Sequence, residues 1–95
     1  MLERVKLALL ITTDDFDSEL LDLIKAAAKD LDIAGVDGLV ISTDTNDALI
    51  IRAIITYCGY QFELIHGSMD RSGAFKKSYD EQKAQLGMAT GYTAW

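Results

Sequence analysis

Asp47-Ala48-Leu49-Ile50-Ile51-Arg52-Ala53-Ile54-Ile55-Thr56-Tyr57-Cys58-Gly59-Tyr60-Gln61-Phe62-Glu63-Leu64-Ile65-His66 is the stretch whose reading decides the fold. Its first half is rich in β-branched residues, so a buried strand competes with a helix. Length settles the contest, because about 20 residues without a strong breaker is two or three times a usual strand. A helix apolar nearly all round is one that other helices surround. Cap candidates Asp44 to Asp47 precede the stretch and Gly67 follows it as a stop. The spacing predicts a long central helix from Asp47 to His66.

Shorter amphipathic segments lie on either side. Leu2, Val5 and Leu9 repeat at helical spacing with Glu3, Arg4 and Lys6 between them. Thr12, Thr13, Asp14 and Asp15 then offer side-chain oxygens to a new helix start. From there Phe16, Leu20, Leu23, Ile24, Ala27, Ala28 and Leu31 form one apolar stripe. Gly35 is placed to end that helix in the left-handed conformation, with Val36 folding back as the apolar contact. Asp37 to Asn46 reads as the one substantial loop. A fourth helix from about Asp70 to Leu86 carries a thinner stripe of Phe75, Tyr79 and Leu86, with Lys76 to Asp80 and Lys77 to Glu81 as opposite charges four apart. Residues 87–95 contain two glycines and end in Tyr92 and Trp95, which suggests an extended arm. The expectation is a single all-α domain over 1–95: about four helices around a central apolar one, with a C-terminal arm.

Composition narrows the function. Apolar residues make up 49% and charged residues 25%, and the absence of proline leaves long helices uninterrupted. A net charge of −6 argues against gripping duplex DNA through its phosphates and favours basic or amphipathic protein partners. Arg52, Thr56, Gly59, Gln61 and Glu63 break the most membrane-like run, Leu49 to Ile65, so no membrane span is expected. One cysteine and no charged-then-apolar leader point to an unprocessed cytoplasmic protein.

No residue set recommends an enzyme, a metal or a cofactor. Asp14, Asp15, Asp17, Glu19 and Asp22 could be drawn as a carboxylate site, but at a helix start they serve as caps and dipole partners. Asp44-Thr45-Asn46-Asp47 opens like a calcium loop and then fails, with Ile55 where the bidentate glutamate belongs. Cys58 and His66 are roughly 12 Å apart along one helix and cannot act together. Cys58 suits a small core residue, and His66 suits the negative end of its helix. Arg52 alone asks for an explanation, since a guanidinium among isoleucines must either reach outward or pair with a carboxylate, within the subunit or across an interface.

Phe16-Asp17-Ser18-Glu19-Leu20-Leu21-Asp22-Leu23-Ile24-Lys25-Ala26-Ala27, Asp30-Leu31 leading to Ala34-Gly35-Val36, Ile51 to Cys58, and Lys77-Ser78-Tyr79-Asp80 together resemble the gp6-like head-tail connector family of tailed bacteriophages and prophages. The resemblance implies a structural helical protein with no catalytic residues. It further implies a closed homo-oligomeric ring in the virion below the portal protein, joined to the next head-completion or tail protein, with DNA passing through its centre without sequence-specific binding. The fourth-helix residues Phe75 and Tyr79 and the arm residues Tyr92 and Trp95 are the expected contacts with neighbours or portal. The other reading is a monomeric or dimeric acidic helical adaptor that engages a basic protein.

Overall fold

The computed structural model describes residues 1–36 and 47–88, and these form four helices: α1 (Leu2–Ala8), α2 (Asp17–Ile33), α3 (Ala48–His66) and α4 (Met69–Met88). Among the described residues there is no strand, so the all-α expectation holds. The loop expected over Asp37–Asn46 lies outside the described residues.

α3 begins where Asp47 turns its carboxylate onto the amides of Leu49 and Ile50, at 3.0 and 3.3 Å. Two of the donors that a helix start leaves free are thereby satisfied. At its far end the Glu63 carboxylate reaches past Gly67 to accept from the Ser68 amide at 3.1 Å. Between these caps Ile50, Ala53, Ile54 and Cys58 are fully buried, and each large side chain so covered contributes roughly 2 kcal/mol. By length and composition alone α3 could cross a membrane. Here those four positions are covered by the chain's own helices.

α1, α2 and α4 all lie against α3. α2 brings Leu20, Ile24, Ala27 and Leu31, and α1 brings Val5, all buried in the same core. The start of α2 meets the end of α3, with Phe16 edge-on to Phe62 at 5.1 Å between ring centroids. α4 runs antiparallel to α3: Ser72 faces Tyr60, Phe75 faces Gly59, Tyr79 faces Tyr57, and Leu86 lies beside Leu49.

Two helices end in the same hydrogen-bonded motif with different residues at the left-handed position. After α2, the Val36 amide donates to Leu31 and the Gly35 amide to Asp32, both at 3.0 Å, with Gly35 at φ 96°. After α1, the Ile11 amide donates to Lys6 at 2.9 Å and the Leu10 amide to Leu7 at 3.3 Å, with Leu10 at φ 59°. Glycine takes this conformation freely, whereas a leucine Cβ crowds the following carbonyl at a cost of about 1–2 kcal/mol.

The acidic run before α2 is used differently from its reading as caps, for Phe16 stands at the cap position and no side chain caps the helix. Asp14 accepts from the largely buried ammonium of Lys6 at 2.8 Å, and Asp17 lies 2.9 Å from the same Nζ as a charge contact. This clasp ties the start of α2 to α1. The hydrogen bond to Lys6 holds the Asp14 carboxyl below its ordinary pKa, and Asp14 and then Asp17 hold the ammonium above its own.

Two predictions follow from these endings and this clasp. Leu10→Gly should raise unfolding stability by about 1 kcal/mol and Gly35→Ala lower it by a similar amount, measured by urea titration. Asp14 has a lowered folded pKa, so its stabilisation is present above its unfolded value near 4 and is lost as pH falls through the folded one. Lys6 has a raised folded pKa, so its share is present below 10.5 and is lost at higher pH. Between pH 6 and pH 3 the Tm of Asp14→Asn should therefore fall less than that of the unaltered chain.

Candidate functional site

Arg52 stands one turn into α3 on the side away from Ile50, Ala53 and Ile54, and it is exposed. With Leu49 it forms one wall of a cleft of about 190 Å³, and Gln82, Gln85 and Leu86 of α4 form the other. The three-residue spacing of Gln82 and Gln85 sets both amides on the same face of α4. No carboxylate among the described residues lies within ion-pair distance of the guanidinium, so the intrasubunit pair considered for Arg52 is not formed there. The Oε1 of Gln82 is buried without a hydrogen-bond partner. The cleft thus combines a guanidinium, a buried acceptor in need of a donor, and two leucines.

The other expected contact residues fare differently. Tyr79 is 3% exposed and turns into the chain's own core. Its hydroxyl donates to Asp30 at 2.6 Å, where Lys83 also arrives at 3.2 Å, and Asp30 lies 49 positions back on α2. Phenol and ammonium thereby pin α4 to α2, while burial first and the Asp30 bond second push the phenol pKa up. Phe75 is half-buried, its ring seated on Gly59, where any Cβ would come within 2.8–2.9 Å of ring carbons. The missing side chain at Gly59 therefore lets the Phe75 ring of α4 lie directly against α3. Phe75 also lines a shallower depression with Arg71, Ala74 and Ser78. Tyr92 and Trp95 lie outside the described residues.

The groups considered for chemistry are engaged in packing. Cys58 is fully buried, and burial pushes its thiol up to about 12. His66 Nε2 lies 2.8 Å from Glu19 Oε2, with its ring against Phe16 and Phe62, so it joins the end of α3 to the start of α2. Lys76 and Asp80 pair at 2.8 Å on the exposed side of α4, whereas Lys77 and Glu81 do not. Among the described residues no three His, Cys, Asp or Glu side chains gather as a metal site.

Exposed apolar side chains gather at two turns: Leu64, Ile65 and Met69 between α3 and α4 are 42%, 60% and 70% exposed, and Leu7 and Leu10 at the end of α1 are 78% and 83% exposed. Such patches are suited to contact with another protein. The described residues thus form a small helical body with polar anchors inside and exposed apolar side chains at its turns. The chain belongs to the phage connector protein family, whose model matches residues 1–93. No curated protein and no solved structure matches it.

The contrast between Arg52 on α3 and Tyr79 on α4 gives a direct check. Arg52→Ala should leave unfolding stability within about 0.5 kcal/mol, since an exposed side chain without an internal partner is removed. Tyr79→Phe should cost about 1 kcal/mol by removing a part-buried bond to a carboxylate. Chemical denaturation of the two variants compares them.

Proposed function

We propose that this connector protein is a subunit of a closed ring at the head-tail junction of a tailed phage, seated between the portal protein and the next head-completion or tail protein. The match to the connector family across 1–93 is the observation that carries this reading. The physical chemistry supports it. A net charge of −6 gives a ring wall that repels phosphates, so DNA can pass without being held. Apolar side chains exposed at the α3–α4 turn supply area for contact, and the Arg52 cleft supplies polarity for register. Assembly takes place in the host cytoplasm, before or during docking onto the head.

Light scattering coupled to size exclusion, over a series of concentrations and with the portal protein of the same phage, tests the ring. A discrete oligomer of many copies, formed alone or on the portal, is the expected result. A chain that stays monomeric throughout, portal included, would favour the acidic adaptor instead.

A further inference from the structure

The hairpin of α3 and α4 has two ends of different chemistry, and we propose that they are the two halves of one contact: the turn end of one copy seats in the Arg52 cleft of the next. This inference deepens the ring reading and rests on it.

At the turn end, the exposed side chains of Leu64, Ile65 and Met69 are joined by Asp70, which is also exposed and makes no ion pair among the described residues. The other end presents the exposed Leu49 beside the Arg52 guanidinium and the exposed Gln85, with the buried Leu86 and the half-buried Gln82 beneath them. The two lists are complementary. Apolar side chains meet apolar ones, and a carboxylate meets a guanidinium, whose fork matches it with two parallel bonds.

Charge identifies the occupant as a second copy. Arg52 is a cation left unpaired in a chain whose acidic groups outnumber its basic ones by 15 to 9, so each copy brings a surplus of carboxylates to its neighbour. Most buried or half-buried carboxylates are already taken: Asp17 by Lys6, Glu19 by His66, and Asp30 by Tyr79 and Lys83. Among the free ones Asp70 is the carboxylate that shares the α3–α4 turn with three exposed apolar side chains, Leu64, Ile65 and Met69. Arg52 and the turn are roughly 20 Å apart along one straight helix, so a copy cannot fill its own cleft. The contact is head-to-tail, the type that closes into a ring when its rotation allows.

Arg52→Glu and Asp70→Lys test the pairing, each at an exposed position where the circular-dichroism melt should stay near that of the unaltered chain. Either reversal alone should weaken self-association at least tenfold, read by light scattering or, if assembly needs the portal, by co-sedimentation with it. An equimolar mixture of the two variants, and the double variant, should each regain assembly. Single variants that assemble normally would overturn the end-to-end contact and leave the ring standing. A loss that neither the mixture nor the double variant repairs would also overturn the pairing, and would assign the cleft to the portal or another partner. An unaltered chain that never assembles, alone or on the portal, would remove both readings together.

Discussion

The fold depends on covering one side of α3. Ile50, Ala53, Ile54 and Cys58 form a strip that no single helix of this length can hide, and α1, α2 and α4 are arranged as the walls around it. The cover is uneven in kind. α2 packs mainly with aliphatic side chains, whereas α4 comes close through the absent side chain at Gly59 and the ring of Phe75 laid on it. Because α4 is short of apolar residues, its position is reinforced by polar anchors near its start and beyond its middle. Ser72 donates to the Tyr60 carbonyl at 3.0 Å near the turn, and Tyr79 with Lys83 grips Asp30 further along. Removing α3's apolar strip would leave those anchors nothing to orient.

Much of this was legible because the deciding signals are local. The Asp47 cap, the Gly35 stop with Val36 folded behind it, and the apolar stripe of α2 all act within a few residues, and the structure contains each as read. The length of the Asp47–His66 stretch outweighed its β-branched residues for the same reason. Whether the chain ends in an arm is a different matter, since Tyr92 and Trp95 lie outside the described residues.

The contacts that stayed hidden share a physical cause: the partner sits far away in sequence. Tyr79 looked like part of a thin surface stripe because its acceptor, Asp30, belongs to another helix. The carboxylates before α2 looked like caps because Lys6, which takes two of them, lies on α1. His66 had a sufficient local explanation in the helix end, which concealed its contact with Glu19, 47 positions earlier. Leu10 gave no signal at all, since the left-handed position is usually announced by glycine or asparagine and here the motif tolerates a strained leucine.

These distant partnerships also shape the surface. Asp14, Asp17, Glu19 and Asp30 are engaged by groups on other helices, while Arg52 is exposed at one end of α3 and apolar side chains are exposed at the other. In the ring reading this distribution has a consequence for when assembly occurs. Each apolar end is only a few side chains wide, below the size at which monomers associate indiscriminately, and the net negative charge makes copies repel at long range. Association then requires the short-range fit of two different ends. A template that raises the local concentration, as a portal would, lowers that threshold without changing either surface.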